Sequence, residues 1–363
     1  MNSRERCIRA ITHELPDRVP LDFNCRPEPL RELMGALGLN DYDRLLRALG
    51  IDMRHVGTTL KGGYLPKGVE VREGPYAPAY TIGQWRGFEV RRDLWGIESL
   101  WAPDHTYTYT YLRHPLQHTP LDEYVWPELD VEATMRTVEE ARHRYEDYCL
   151  VGGITHLWEI AWQLTGFREA LKMMYKDPQT LERILDGIDR IRIEEVKLLC
   201  DLGVDVICDG DDVGMQKGMM MSPQMWRRFL KPRYKRLIDL CHRRGVFFMF
   251  HSDGWIEPII PDLVEIGVDI LNPVQPECMD PYRVKQLYGD KLTLHGTVGV
   301  QSILPFGTPK EVEEVVKERV EKLGPTGFIL APTHAIQPGT PVENILAMYR
   351  AALKYGRVEK GQS

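Results

Sequence analysis

The sequence predicts an α/β protein, specifically a (β/α)8 TIM-type barrel with a β-hairpin-rich insertion after its second strand. From about residue 149 onward, short β-branched runs alternate with amphipathic helical stretches. Helices between consecutive strands require parallel connections, and eight such strands favour a closed barrel over an open sheet. No G-x-G-x-x-G or G-x-x-x-x-G-K-[ST] motif follows any predicted strand, which removes support from the usual dinucleotide-binding and P-loop folds.

The predicted strands and helices follow one another in a regular order. Two strands lie upstream and six downstream, at residues 18–23, 52–56, 149–153, 204–209, 246–251, 268–272, 291–295 and 328–331. Helical patterns lie between and after them, at residues 30–49, 158–175, 178–202, 223–244, 256–266, 281–288, 309–323 and 342–355. Several helices begin with an N-cap residue followed by proline, as in Ser222-Pro223, Asp280-Pro281 and Thr308-Pro309.

Residues 57–120 have a different character. This segment is dense in glycine, proline and aromatic residues, which predicts β-hairpins instead of another strand-helix unit. We therefore expect one barrel domain over residues 1–363, with an insertion at about 57–120 that roofs the barrel mouth. Its aromatic residues Trp85, Trp95 and Tyr107 are candidates for stacking on a ligand, although packing among the hairpins is the simpler role for most of them.

Composition and charge exclude several classes of protein. The 363 residues include 46 Lys+Arg and 53 Asp+Glu without a long basic block, so nucleic acid is not an expected partner. Seven cysteines without a C-x-x-C pair predict a reducing, cytoplasmic location. The N-terminus lacks a signal-peptide core, and no run approaches the ~18 apolar residues of a membrane span. We expect a soluble protein without a membrane partner.

Candidate functional residues lie where the predicted strands end, because active sites of such barrels form at the carboxyl ends of the strands. The polar residues there are Thr155, His156, Glu159, Asp209, Asp211, Asp212, Gln216, His251, Ser252, Asp253, Asn272, Gln275, His295, Thr333, His334 and Gln337. His251 and Asp253 lie two apart on an extended segment and share a side, and His334 supplies a third ligand from a non-adjacent strand. This set predicts a site for zinc or a similar divalent ion, although any one histidine taken alone is more often structural.

The carboxylates at the end of strand 204–209 have two interpretations. Asp209, Asp211 and Asp212 are candidates for binding substrate or for acting as a base, but carboxylates at such positions also cap helices. We expect at least one of the three to be structural. Glu159 begins a predicted helix, where its charge also stabilises the helix dipole.

Six segments together resemble the uroporphyrinogen decarboxylase superfamily. They occur in the order expected for that superfamily, at residues 4–20, 166–167, 209–218, 250–254, 266–275 and 331–344. The resemblance implies a TIM-type barrel. It also implies one of two activities: decarboxylation without a cofactor, or cobalamin-linked methyl transfer in which zinc activates a thiol or positions a methyl donor.

Departures from the superfamily patterns favour the second activity. True uroporphyrinogen decarboxylases carry R-Q-A-G-R after the first strand, whereas this chain has Asn24-Cys25-Arg26-Pro27-Glu28. One arginine cannot hold a substrate with many carboxylates. Thiol-directed methyltransferases carry H-x-C and a later cysteine as zinc ligands, and here Asp253 and His334 take those places. An Asp/His set is harder than a thiolate set and suits polarising an oxygen.

The sequence thus predicts a corrinoid-dependent methyltransferase of the O-demethylase type. It would move a methyl group from a small, O-methylated substrate to the cobalamin of a separate corrinoid protein, because this chain lacks the corrinoid-binding D-x-H-x-x-G signature. In this scheme His251, Asp253 and His334 bind the metal. The predicted catalytic residues are Glu159, Asp211 and His295, with Glu159 or Asp211 as acid or base. The predicted substrate-binding residues are Asp209, Asp212, Gln216, Gln275 and Gln337.

Two alternatives and one further expectation accompany this prediction. A metal-free decarboxylase or lyase acting on a smaller carboxylate would use the Asp209–Asp212 cluster and His334. A non-catalytic binding protein is the third interpretation, although so many polar groups at strand ends carry a burial cost that this interpretation does not explain. The resemblance is also compatible with a homodimer.

Overall fold

The fold is taken from a computed structural model that describes residues 1–72, 74, 77–101 and 110–358. Its strands are, in chain order, β1 Met53–Gly57, β2 Leu60–Gly62, β3 Ala79–Trp85, β4 Phe88–Asp93, β5 Glu98–Trp101, β6 Thr110–Arg113, β7 Pro127–Leu129, β8 Cys149–Ile154, β9 Val206–Gly210, β10 Gly214–Met215, β11 Gly218–Met219, β12 Phe247–His251, β13 Ile270–Asn272, β14 Thr293–Val298 and β15 Phe328–Pro332.

The α-helices begin and end as follows: α1 Ser3–Ile11, α2 Pro27–Ala36, α3 Tyr42–Ala48, α4 Val131–Arg144, α5 Trp158–Thr165, α6 Phe167–Lys176, α7 Pro178–Asp201, α8 Pro223–Phe229, α9 Lys231–His242, α10 Ile260–Ile266, α11 Pro281–Tyr288, α12 Ile303–Phe306, α13 Pro309–Leu323 and α14 Val342–Tyr355. Short 3-10 turns occupy Pro115–Gln117, Leu121–Glu123 and Glu257–Ile259. Among the described residues, no helix is both long enough and apolar enough to cross a bilayer.

Seven strands form a curled parallel sheet in the order β1-β8-β9-β12-β13-β14-β15. The gap between β15 and β1 is filled by the extended segment around Leu21, which forms a parallel bridge to Leu330. The amide of Asp22 donates to the Leu330 carbonyl (3.1 Å), the Leu330 amide donates to the Pro20 carbonyl (3.0 Å), and the Asp52 amide donates to the Leu21 carbonyl (2.9 Å). The predicted (β/α)8 TIM-type fold is confirmed, with this segment in the eighth position.

The predicted first strand, 18–23, is not a continuous strand, and that part of the prediction is wrong. Pro20 has no N–H to donate to a ladder. The amide of Leu21 donates to the Asp52 carboxylate (2.9 Å) instead of to a carbonyl of the sheet. Both effects limit the pairing of this segment with β15 to one bridge, at Leu21, while Arg18 forms a separate antiparallel bridge to Arg357.

Three predicted helices are each divided in two. The pattern at 158–175 breaks at Gly166, whose φ of 90° ends α5 and starts α6. The pattern at 223–244 breaks at Leu230, because Pro232 lies in the first turn of α9 and cannot continue the hydrogen bonds of α8. The pattern at 30–49 divides around Gly38, at a φ of 64°. Helix α4 was not predicted.

One end of the barrel is closed by α1. Its residues Cys7 and Ile11 pack against inward-facing side chains of the strands, namely Met53, Cys149, Val151, Val206, Met249, Ile270 and Ile329. Because the strands are parallel, their carboxyl ends all meet at the opposite end. That end is therefore the open mouth, where the fold positions its functional groups.

The insertion consists of antiparallel hairpins, as predicted. Strands β3 to β6 form a four-stranded sheet in sequence order, and β2 pairs with β7. Trp95 is buried, and the Tyr124 hydroxyl donates to its carbonyl (2.6 Å), whereas Trp85 is exposed. Tyr107 lies outside the described residues.

A buried ionic network surrounds Asp52 beside the closing segment. Its carboxylate is fully buried and accepts hydrogen bonds from Arg6 Nη1 (2.7 Å), Arg18 Nη1 (2.7 Å) and Ser3 Oγ (2.7 Å), as well as from the Leu21 amide. The network therefore joins α1, the closing segment and the start of β1.

Asp52→Ala should lower the free energy of unfolding by about 3–5 kcal/mol, because it leaves two guanidinium groups without their shared carboxylate. Urea denaturation followed by circular dichroism measures this change. The control is Glu314→Ala, which removes an exposed pair with Lys310 and should change stability by less than about 1 kcal/mol. Equal effects of the two substitutions would contradict the role given to Asp52.

Candidate active site at the barrel mouth

A cavity of about 430 Å³ lies at the carboxyl ends of the strands, and this volume is within the range of small-molecule sites. Its polar lining consists of Asp22, Asn24, His55, His156, His251, Asn272, His295, Thr333 and His334. Cys208 and Gly210 of β9 also line it, so Asp209 between them faces the other side of the strand. The cavity thus brings five histidines together.

Asp212, His251 and Asp253 form a candidate metal site. One ligand atom from each lies within 4.8 Å of the others. His251 Nε2 is 3.7 Å from Asp212 Oδ1 and 4.0 Å from Asp253 Oδ1. The amide of Asp253 donates to Asp212 Oδ1 (2.7 Å), which holds the two carboxylates together. Two predicted metal ligands, His251 and Asp253, therefore meet, and they are joined by Asp212, for which substrate binding was predicted.

The electrostatics of this cluster favour a cation. Asp253 Oδ1 is buried and makes no hydrogen bond among the described residues. Burial, together with the neighbouring carboxylate of Asp253, raises the pKa of Asp212. Burial also raises the pKa of Asp253. Two carboxylates and an imidazole in this arrangement match the ligands of zinc and similar divalent ions, so the residues present fit such a metal.

A hydrogen-bonded chain fixes the orientation of His251. Asp22 accepts from His295 Nε2 (3.0 Å), and the amide nitrogen of Asn272 donates to Nδ1 on the other side of the same ring. The Asn272 carbonyl oxygen then accepts from His251 Nδ1. His251 consequently directs Nε2 toward Asp212 and Asp253, as a metal ligand requires. His295 thus contacts both Asp22 and Asn272 in this hydrogen-bonded chain, and its predicted catalytic role stays a prediction.

His334 lies beside the cluster. Its Nε2 is 4.0 Å from Asp253 Oδ2, and its ring centroid is 6.3 Å from that of His251. Burial, His251 and Arg26 lower the pKa of His334 to about 4, which keeps the ring neutral. Gln337 Nε2 lies 3.4 Å from His334 Nδ1 and donates to the Ala335 carbonyl (2.6 Å). The structure thus places His334 near the metal cluster and Gln337 behind it.

Two histidine-carboxylate pairs occupy the rest of the mouth. His156 Nδ1 donates to Glu159 Oε2 (2.6 Å), with the His156 ring in the cavity lining and Glu159 buried behind it. Although burial opposes the charge, Glu159 raises the pKa of His156 to about 9. His55 Nε2 contacts both oxygens of Asp22 at 2.9 and 3.0 Å. Although burial opposes ionisation, His55 and His295 lower the pKa of Asp22.

Three of these residues received no role from the sequence. His156 is one of the polar residues noted at the strand ends, but the catalytic role was predicted for Glu159 instead. Asp22 and His55 lie within predicted strands, at 18–23 and 52–56. Their positions near the ends of those strands are a signal by which both residues could have been found.

Asp209 and Asp211 are not brought into the cavity lining. Asp209 is fully buried and forms an ion pair with Arg192. Asp211 accepts from the amides of Trp158 and Glu159 (2.8 Å each) at the start of α5, and also from the Tyr234 hydroxyl. These contacts are structural, and the predicted substrate or catalytic roles of the two residues stay predictions.

The other glutamines lie at the edge of the site. Gln275 Oε1 accepts from the amide of Gly254 (3.1 Å) and so positions the loop that follows Asp253. Gln216 is exposed, and its Nε2 donates to Gln301 Oε1 (3.1 Å). Neither residue is among the described residues that line the cavity, so the substrate-binding roles predicted for Gln216 and Gln275 also stay predictions.

The fold and the mouth define an α/β-barrel protein with a polar, histidine-rich cavity. The chain belongs to the uroporphyrinogen decarboxylase (URO-D) family, whose model matches residues 110–355.

Curated relatives fall into two groups. The chain is 25% identical over 226 residues to a methylcobamide:CoM methyltransferase MtaA of Methanosarcina barkeri, covering 62% of this chain and 64% of that enzyme. It is 22% identical over 241 residues to a methylated-thiol–coenzyme M methyltransferase of Methanosarcina mazei, covering 64% and 62%. It is 27% identical over 182 residues to a uroporphyrinogen decarboxylase of Synechococcus, covering 49% of each. The chain thus spans less than two thirds of the length of these relatives.

Solved structures support the fold. A methyltransferase from Methanosarcina mazei superposes with a TM-score of 0.67 at 20% identity, covering 98% of this chain and 99% of that one. A B12-independent methionine synthase from Shewanella superposes with a TM-score of 0.51 at 13% identity, covering 93% and 94%. At these identities the likeness concerns the fold.

The His156–Glu159 pair predicts a pH-dependent contribution to stability. Because the folded pKa of about 9 exceeds the ordinary value of 6.5, the contribution is fully present below pH 6.5 and is lost as the pH rises through 9. Glu159→Gln should therefore destabilise the protein more at pH 6.5 than at pH 9.5 in urea unfolding. Glu169→Gln, which removes an exposed partner of Lys172, is the control and should show no such trend. A Glu159→Gln effect independent of pH would refute the assignment.

Proposed function

We propose that this protein is a corrinoid-dependent methyltransferase that moves a methyl group from a small, O-methylated substrate to the cobalamin of a separate corrinoid protein, with the help of a metal. The observation that carries the proposal is the cluster of Asp212, His251 and Asp253 at the mouth of a URO-D-family barrel. It offers oxygen and nitrogen ligands beside a histidine that Glu159 keeps protonated.

The names of the relatives support methyl transfer and a corrinoid partner. Two of them are methyltransferases, and one is named for a methylcobamide. Their named acceptor, coenzyme M, is a thiol that a metal with thiolate ligands would activate. The cluster described here contains no sulfur ligand. Burial raises the pKa of Cys208, the cysteine of the described cavity lining, to about 12, so this residue stays a thiol.

The proposed metal ligands are His251, Asp253 and Asp212, with His334 next to them. Zinc bound there would act as a Lewis acid toward the ether oxygen. Asn272 and His295 orient His251, and Gln275 positions the loop that carries Asp253. His156, charged through Glu159, is the proposed proton donor to the oxygen from which the methyl group leaves.

The cavity lining argues against decarboxylation of uroporphyrinogen. None of its described residues is an arginine or a lysine, the groups that bind carboxylates in pairs. Four of its histidines contact Asp22, Asn272 or Glu159, and the fifth, His334, is kept neutral by its lowered pKa. The cavity therefore supports a small, weakly charged substrate. The homodimer allowed by the superfamily resemblance stays a prediction.

The direct test incubates the purified, zinc-loaded protein with cob(I)alamin as acceptor and with methanol, anisole or 2-methoxyphenol as donor. Methylcobalamin should form, as followed by its absorbance. His251→Ala should slow the reaction by about 10²- to 10³-fold, as for loss of one group that stabilises developing charge. A chelator should abolish it until zinc is restored. Lys310→Ala, an exposed substitution on α13, is the control.

Two results would contradict the proposal. One is the absence of methylcobalamin with every methoxylated donor tried. The other is an undiminished rate in His251→Ala or in the metal-free protein, which would point to chemistry without a metal.

A further inference from the structure

A second cavity of about 260 Å³ adjoins the mouth cavity. We call it the annex and define it by Gly57, Leu60, Pro78, Trp95, Ile154 and Ile160. Gly153, Ile154 and His156 line both cavities, so they form a shared wall between the annex and the mouth.

The described walls of the annex carry almost no charge. Three threonines line it, Thr58, Thr59 and Thr155. The hydroxyls of Thr58 and Thr155 donate to Glu195 at 2.6 and 2.9 Å, and Glu195 is fully buried on α7. The hydroxyl hydrogens of Thr58 and Thr155 are therefore engaged by the Glu195 carboxylate and do not face a ligand as donors. The one ionisable side chain among the described lining residues is His156, whose charge Glu159 balances. An uncharged ligand avoids the desolvation cost that a charged one would meet here.

We propose that the annex binds the organic moiety of the methyl donor, an uncharged group about the size of a single ring, with its oxygen at His156 and its methyl group in the mouth cavity. This inference rests on the proposed function. It assigns a substrate class, aryl methyl ethers and compact alkyl methyl ethers, to a site outside the metal cluster.

The dimensions of the annex agree with this ligand. An apolar cavity of about 150 Å³ already holds benzene, so 260 Å³ accommodates one ring with small substituents. Residues 77, 78 and 95 of the insertion form part of the wall; the first two precede β3, and the third lies between β4 and β5. The insertion therefore helps to select the substrate.

His156 connects the annex to the reaction. Its Nδ1 donates to Glu159, and its Nε2 lies close to Gly210. A Cβ atom at position 210 would lie only 3.0 Å from Nε2, so glycine leaves room for the ring there. When the methyl group leaves, the carbon–oxygen bonding pair stays on the oxygen, and the proton of Nε2 joins that oxygen to give a phenol or alcohol. The reduced corrinoid supplies the electron pair of the new bond to carbon, and water then reprotonates His156.

The test blocks the annex without disturbing the metal cluster. A Cβ atom added at Gly57 would meet no other atom within 4 Å, and the φ angle of Gly57 is not in the left-handed region. Gly57→Leu should therefore fill the annex without strain. Gly35→Leu, at an equally open position on α2, is the matched control. Phenol is the probe, and calorimetry measures its binding. Phenol should bind the wild type and Gly35→Leu alike, and Gly57→Leu at least about tenfold more weakly.

Either of two binding results overturns the inference: unchanged phenol affinity in Gly57→Leu, or no phenol binding to the wild type at millimolar concentration. Methanol separates this inference from the proposed function, because methanol has no organic moiety to fill the annex. Gly57→Leu should lose methyl transfer from anisole but keep transfer from methanol. If no donor transfers its methyl group while Gly57→Leu still loses phenol binding, the proposed function fails, and the annex remains a binding site for an uncharged ring.

Discussion

The closure of the barrel by the segment Pro20–Asp22 is the constraint on which the site depends. Its backbone hydrogen bonds join β15 to the start of β1. On one side of the segment, Leu21 is held by the buried carboxylate of Asp52. On the other side, Asp22 reaches His55 and His295 in the mouth. Through Asn272, the contact between Asp22 and His295 sets which nitrogen of His251 is directed at Asp212 and Asp253. The same short segment of backbone therefore closes the barrel and orients the candidate metal ligand.

The mouth divides into two electrostatic halves. On one half, Asp212 and Asp253 crowd together around His251, an arrangement that a divalent cation stabilises. On the other half, His156 carries a proton that Glu159 stabilises. An ether oxygen between the halves would meet a Lewis acid and a proton donor, and both stabilise the negative charge that develops as its methyl group leaves. Neither half requires a thiolate, which distinguishes this arrangement from one that activates a thiol.

Much of the fold and part of the site could be predicted from the sequence, for physical reasons. Parallel strands end at one edge, so polar residues after β9, β12, β13 and β15 had to meet, and His251, Asp253 and His334 do so. The direction in which each side chain points was harder to predict. Asp209, within β9, and Asp211, just after it, are close in sequence to Asp212, yet they contact Arg192 and the start of α5. Asp22 and His55 were missed because each lies one residue before the end of its predicted strand, 18–23 or 52–56, whereas the candidate residues were taken from the strand ends and the loops after them.

Zinc K-edge X-ray absorption of the zinc-loaded protein would show whether oxygen and nitrogen atoms bind the metal proposed at the mouth. We expect nitrogen and oxygen neighbours at about 2.0–2.2 Å from the zinc, with an imidazole contribution that falls in the double variant Asp253→Asn/His251→Ala. Sulfur scattering at about 2.3 Å, or a first shell unchanged by that double substitution, would contradict it.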